Sequence, residues 1–182
     1  MRISTTGRYG LRIMLDVALH SGEAPTGRQD IADRQRVTPD YIAQLTRGLV
    51  SAGLLATRKG PGGGYLLGKA PENIHLGDIL RALQESISIA PCLDPKNELD
   101  CDLGSTCATR IVWVRLTQIV QDYLDALTLN DLLNIDRQMR IRGETVTTDP
   151  LEMIDATLDV RVSMDAASPT IIHGSTDPVK GP

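Results

Sequence analysis

The sequence predicts a mainly helical protein with one small β-hairpin, and three observations carry that prediction. Apolar residues recur at helical intervals over several long stretches; the chain has no Phe, one Trp and four Tyr; and a glycine-rich turn, KGPGGG at residues 59–64, separates two short runs with strand character. A core of Leu, Ile, Val, Ala and Met suits packed helices better than a β-sandwich. The 182 residues suffice for one or two small domains.

The elements follow in order. In TGRYGLRIMLDVALH, Tyr9, Ile13 and Val17, flanked by Leu11, Leu15, Ala18 and Leu19, fall at helical spacings, with Thr5 or Thr6 available as cap. GEAPTG breaks the pattern, and Thr26 is the expected cap of a short helix through GRQDIADRQ, turning Ile31 and Ala32 inward. TPDYIAQLTRGLVSAG then opens with Thr38 as cap, Pro39 at the first helical position and Asp40 in the first turn. Ile42, Leu45 and Leu49 make its inner face, Gly53 closes it, and Asp40, Ala43, Gln44 and Arg47 lie on the opposite face. Two helices joined by a tight turn at Arg36 and Val37, the second polar outside, describe a helix-turn-helix. Residues 54–58 and 65–67 read as strands of a hairpin directly behind it, which makes a wing.

A further helix is expected over HLGDILRALQES, with Leu76, Ile79, Leu80 and Leu83 buried. After a cysteine-bearing stretch, STCATRIVWVRLTQIVQDYLDAL aligns apolar residues at 112, 116, 119, 123 and 127, widened by Trp113, Val120 and Leu124. An arc that broad predicts packing on more than its own domain, and the same helix of a second subunit is the expected partner. TLNDLL reads as a capped short turn of helix, and beyond about Gly143 the Ser-, Thr-, Pro- and Asp-rich chain is expected to be disordered apart from a weak helical signal at 151–158. The expected division is 1–70, a winged helix-turn-helix; 71–134, the cysteine loop and a long dimerisation helix; and 135–182, a tail.

Charge separates along the same lines. The net charge of -4 covers ten Lys and Arg against five Asp and Glu in residues 1–70, and nine against eighteen in the remainder. A basic segment on an acidic chain predicts a polyanionic partner, and with a helix-turn-helix and wing that partner is double-stranded DNA. Thr38, Asp40, Ala43, Gln44 and Arg47 are placed to meet base edges; Gln44 suits adenine, and Arg47 suits guanine or a phosphate. Arg58, Lys59 and the backbone N–H groups of Gly62, Gly63 and Gly64 are candidate phosphate contacts at the wing, with Arg2, Ser4 and Arg28 elsewhere. No apolar run approaches a membrane span and no signal-peptide core opens the chain, so a cytoplasmic protein without a membrane partner is expected. Three scattered histidines and no serine in a nucleophile setting argue against an enzyme.

All three cysteines, Cys92, Cys101 and Cys107, lie in CLDPKNELDCDLGSTC with spacing C-x8-C-x5-C. A disulfide would leave one thiol over, zinc would need a fourth ligand, and structural cysteines are more often dispersed through a core. Spacing leaves these readings and a cluster open.

The stretches MRISTTGRYGLRIMLDVAL and RKGPGGGYLLGK, with three cysteines just before a long helix, resemble the IscR-like family of winged-helix iron-sulfur transcription regulators, from Met1 to about Asn134. The resemblance implies a homodimer whose long helices cross, and an iron-sulfur cluster, 2Fe-2S or 4Fe-4S, held by Cys92, Cys101 and Cys107. It implies a repressor or related regulator serving cluster biogenesis or iron homeostasis and sensing cluster status, iron, redox or nitric oxide stress; the competing reading is a metal-free or zinc- and thiol-based winged-helix repressor. Two family ligands do not carry over. IscR places a histidine three residues after the last cysteine, where this chain has Arg110, and NsrR-type members place an acid where it has Arg8. His20, His75, Asp94, Glu98, Asp100 and Asp102 remain as candidates for a fourth ligand, beside an open iron site. IscR also has a glutamate at the place of Ala43, and the long first cysteine gap resembles the iron-responsive RirA branch.

Overall fold

The computed structural model describes residues 3–22, 24–94 and 106–142. Among them run α1 (Thr5–His20), α2 (Arg28–Gln35), α3 (Pro39–Ser51), β1 (Leu55–Arg58), β2 (Gly64–Leu67), α4 (Leu76–Ala82), α5 (Ala108–Ala126) and α6 (Leu129–Arg142). The strands pair antiparallel from Leu55 opposite Leu67 to Arg58 opposite Gly64. A mainly helical winged helix-turn-helix with one small hairpin is the fold the sequence predicts.

The helix starts depart from expectation in two places. Ser4, not Thr5 or Thr6, caps α1, its hydroxyl accepting the Gly7 N–H at 3.1 Å. Gly27 caps α2 without a side-chain bond. Thr26 instead exchanges two main-chain hydrogen bonds of 2.9 Å with Tyr65, which ties the hairpin to the start of α2. Arg36 ends α2 in the left-handed region, φ 56°, and Thr38 caps α3 as expected.

A buried carboxylate fixes the helix-turn-helix. Asp16 of α1 accepts hydrogen bonds from Arg34 Nε at 3.1 and 3.0 Å, from Arg34 Nη2 at 2.6 Å and from Gln35 Nε2 at 2.8 Å. That bidentate fork, with the Asp16 hydrogen bond foremost, raises the Arg34 pKa. The last turn of α2, and with it the connection into α3, is therefore held to α1 by charge as well as packing.

One hydrophobic core runs through both halves of the described chain. Ile13, Met14 and Val17 of α1 meet Ile31, Ile42, Leu49 and Leu54, and the same cluster continues through Ile74, Ile79, Leu127 and Leu129. Leu76 N–H donates to Leu127 at 2.9 Å and Leu129 N–H to Ile74 at 2.8 Å, so the chain returns from α5 into this core. Residues on both sides of position 70 thus pack as one body. Gly10 lets α1 and α4 approach closely, since a Cβ there would stand 1.9 Å from Leu83 Cδ1.

Two further boundaries are corrected. The helix expected through Ser86 stops at Ala82, because Gln84 turns left-handed at φ 55° and frees Glu85 to reach Ser4. The short turn expected at residues 128–133 is the start of α6, which runs to Arg142 across the boundary placed at 135. A reciprocal cap starts it: Thr128 N–H donates to Asp131 Oδ2 at 2.7 Å and Asp131 N–H to Thr128 Oγ1 at 3.3 Å. Leu132 and Ile135 continue it by packing on the core, and an Asp136–Arg140 pair at 2.6 Å bridges its last turns. The expectations for residues 143–182 lie outside the described residues.

Candidate functional site

The first part of the site is the outer face of α3 and the hairpin beside it. Asp40, Gln44 and Arg47 are exposed and Ala43 is half-buried, so the face expected to meet bases is turned to solvent. Thr38 spends one oxygen lone pair on the Tyr41 N–H, at 3.3 Å. The buried hydroxyl of Thr46 donates to Ile42 O at 2.8 Å and lies 3.0 Å from the Tyr65 hydroxyl, which fixes the hairpin against α3. Between them opens a cleft of about 420 Å³ lined by Ala43, Thr46, Arg47, Val50, Ser51, Thr57 and Tyr65. Ser51, Thr57 and Tyr65 were not singled out from sequence. Their alternation on a strand and position late on a helix gave no chemical signal; only the pairing of hairpin and helix brings them to the face.

The cations follow the same face. Arg28 at the start of α2, Arg47, Arg58 and Lys59 are exposed, and no ion pair engages them among the described residues. The turn glycines divide. Gly62 is exposed at φ +71° with open space around it, as a close backbone contact needs. Gly63 N–H is spent on Gly60 O at 2.9 Å. Gly64 is required by packing, because a Cβ there would lie 2.1 Å from Thr26 O. Ser4 is likewise occupied: its N–H donates to Glu85 Oε1 at 2.7 Å and its hydroxyl bonds Glu85 Oε2. Arg2 lies outside the described residues.

The second part is formed by the two described ends of the cysteine stretch. Cys92 sits in a single 3₁₀ turn, Pro91–Leu93, and Cys107 is the N-cap residue of α5; both are free thiols. Ile89 N–H donates to Thr117 Oγ1 at 3.3 Å, Ser88 Oγ to Leu93 O at 3.2 Å, and Arg110 Nη1 to Cys92 O at 3.4 Å. These bonds lay the segment before Cys92 along α5. Cys107 Sγ lies 3.1 Å from Thr109 Oγ1, and that hydrogen bond, followed by the Arg110 N–H, lowers the Cys107 pKa toward the thiolate.

Soft thiolate donors are what iron in a cluster requires, and the Arg110 bridge brings the main chain at Cys92 to the turn that Cys107 caps, so the described donors fit such a group. Cys101, Glu98, Asp100 and Asp102 lie outside the described residues. His75 pairs its main chain with Thr128, past the far end of α5, about 27 Å along the helix from Cys107 at 1.5 Å per residue. His20, at the end of α1, donates from Nδ1 to Asp16 O at 2.8 Å and faces α6. Neither histidine lies at the Cys107 end of α5.

The third part is α5 itself. None of its residues is buried. Tyr123 and Leu124 pack on the core, whereas Ile111 is 73 %, Val112 53 % and Val114 48 % exposed. Among the described residues no helix is long and apolar enough to cross a membrane.

Known proteins resemble this arrangement. A family model described as Rrf2, iron-dependent transcriptional regulator, matches residues 3–135. The HTH-type transcriptional regulator IscR of Erwinia tasmaniensis is 41 % identical over 134 residues, covering 74 % of this chain and 79 % of that one. The IscR of Serratia proteamaculans is 37 % identical over 165 residues, 87 % of this chain and 99 % of that one. Among solved structures, CymR, the global cysteine regulator of B. subtilis, matches with TM-score 0.59 and 39 % identity over 72 % of this chain and 95 % of that one. T. potens IscR matches with TM-score 0.57 and 34 % identity over 73 % and 86 %. The family match spans the helix-turn-helix, the wing and the long helix together, and the chain belongs to the Rrf2 family of transcriptional regulators.

Proposed function

We propose that this regulator is a homodimer that reads double-stranded DNA with two winged helices and sets its affinity by an iron-sulfur cluster bound at Cys92, Cys101 and Cys107. The observation that carries the reading is the position of Cys107: among the described residues it caps the one helix whose apolar face is open, so the cysteine stretch and the expected subunit contact share a single element. Gln44 and Arg47 would read bases, with Thr38, Asp40 and Ala43 beside them, while Arg28, Arg58, Lys59 and the Gly62 N–H would take phosphates.

A bound cluster supplies a redox-active, ligand-accepting metal centre that oxygen, nitric oxide or iron scarcity alters. The chain's own part is mechanical. Cys92 and Cys107 bind, α5 carries any change of the loop toward the core through Tyr123 and Leu124, and α3 presents the result to the groove. Control of cluster-biogenesis or iron-homeostasis genes in the cytoplasm follows from this reading.

Anaerobic purification with visible and Mössbauer spectra, iron and sulfide analysis, and a Cys101→Ala control tests it. An iron-sulfur signature that collapses in the variant is expected. Absence of iron and sulfide even after anaerobic reconstitution would leave a thiol- or zinc-based repressor in its place.

A further inference from the structure

We propose that Arg110 is a positioning residue of the cysteine site: its guanidinium holds the main chain at Cys92 against the first turn of α5, whose N-terminus Cys107 caps. The inference rests on the cysteine-site reading above and assigns a role to a residue at a place where the IscR-like pattern has a ligand.

The geometry is specific. Arg110 lies three residues after Cys107, on the same side of the helix start, and its Nη1 donates to Cys92 O at 3.4 Å. The bond joins residues eighteen apart in sequence, the two described ends of the stretch that carries every thiol. Two further bonds keep the approaching chain in line with it, Ile89 N–H to Thr117 Oγ1 at 3.3 Å and Ser88 Oγ to Leu93 O at 3.2 Å. Without Arg110, those two bonds would still lay the segment along α5, but the direct bond between the Cys92 main chain and the first turn of that helix would be gone.

An arginine cannot ligate iron, because its guanidinium is always protonated and offers only donors. What it can do is hold a carbonyl and leave its charge beside thiolates. Each thiolate brought to a metal adds negative charge to a half-exposed site, and a fixed cation there offsets it. The position therefore exchanges a fourth ligand for preorganisation: the outer thiols are kept near each other before a cluster binds, and the cation favours the more negative, reduced state afterwards.

The test separates the clasp from the cluster. In apo protein carrying Cys101→Ser, a short thiol cross-linker such as dibromobimane joins Cys92 to Cys107 within one chain. Arg110→Ala should slow that reaction about fivefold, the worth of one hydrogen bond, with Arg110→Gln intermediate because it keeps a donor without charge. In reconstituted protein with all three cysteines, Arg110→Gln should lower the cluster's reduction potential, speed its loss to a chelator and leave the circular dichroism of the helices unchanged, and Arg110→Lys should restore the potential more than the cross-linking rate. Unchanged cross-linking in Arg110→Ala would overturn the clasp, and an unchanged potential in Arg110→Gln would overturn the role of the charge. Failure of every variant and of the wild type to hold iron and sulfide would overturn the cluster reading and the charge role with it, while the apo measurement still decides the clasp.

Discussion

The body built by α1 to α4, the hairpin and α6 and the leading half of α5 are constructed on opposite terms. In the first, Ile13, Met14, Val17, Ile42 and Leu49 are completely or almost completely withdrawn from solvent, and a buried carboxylate finds four donated hydrogen bonds. In the second, residues 111–116 are exposed on every side of the helix, Val and Ile as much as Arg. The body that carries the helix-turn-helix closes a core of its own; the leading half of the helix that Cys107 caps does not. An apolar helix surface of this kind is a candidate contact surface, and the proposed partner is a second copy of the chain. In the proposed dimer, cysteine stretch and partner would therefore meet on the element that is incomplete alone.

The contrast can be broken directly. Ile13→Ala, which opens a cavity in the core, should cost about 2–5 kcal/mol in urea unfolding with an unchanged slope. Leu116→Asp, on the exposed arc, should leave the far-ultraviolet circular dichroism intact and move the sedimentation coefficient from dimer to monomer. A core-like loss of structure in Leu116→Asp would mean the helix is held by its own subunit.

Asp16→Ala removes the acceptor of Arg34 and Gln35 and should cost about 2–4 kcal/mol, because a part-buried guanidinium loses its partner. A thermal melt shows the loss, and a shift below about 1 kcal/mol would reduce the network to a surface pair. On the reading face, Gln44→Ala should weaken the best duplex by about 1–3 kcal/mol and relax preference at one position, whereas Lys59→Ala should weaken all sequences alike and lower the salt slope by about 1. Binding measured over a salt series separates the two.

The smallest effect concerns Cys107. Its pKa lies below that of an ordinary thiol, first because of the Thr109 hydroxyl. The folded value is depressed, so the stabilising contact is fully present above the ordinary thiol range and is lost as pH falls through the lowered value. Alkylation of Cys107 in apo protein should therefore reach its half-maximal rate at a lower pH than a free thiol, and Thr109→Val should move that midpoint upward.

Much of this was legible in the sequence because local chemistry and periodicity agreed. Thr38, Pro39 and Asp40 announce α3, and its apolar residues follow at helical spacing to Leu49. The glycine-rich turn gave the wing within one residue at each strand. What escaped reading depends on partners distant in sequence. Ser4 rather than Thr5 caps α1 because the chain reverses at Gln84 and brings Glu85 to it. Thr26 serves the hairpin rather than α2 because Tyr65 is opposite. The length of α6 was hidden because NIDRQMRIR shows little periodic apolarity, and its support comes from the core beneath Leu132 and Ile135. At the candidate site, residue types pointed to the thiols and to the exposed face of α3, but neither the bond that spends the Gly63 N–H, nor the packing of Gly64 on Thr26, nor the reach of Arg110 to Cys92 has any signature along the chain.

The central claim is that the state of the cysteine site sets DNA affinity. A duplex selected from a random pool by the anaerobic protein allows the direct measurement: its dissociation constant with cluster-loaded protein and with the same preparation stripped of iron. The account predicts a difference of about tenfold or more, in the usual range of coupling between two sites, and no difference between the treated and untreated Cys101→Ala variant. Equal affinity of the loaded and stripped wild-type protein would contradict it.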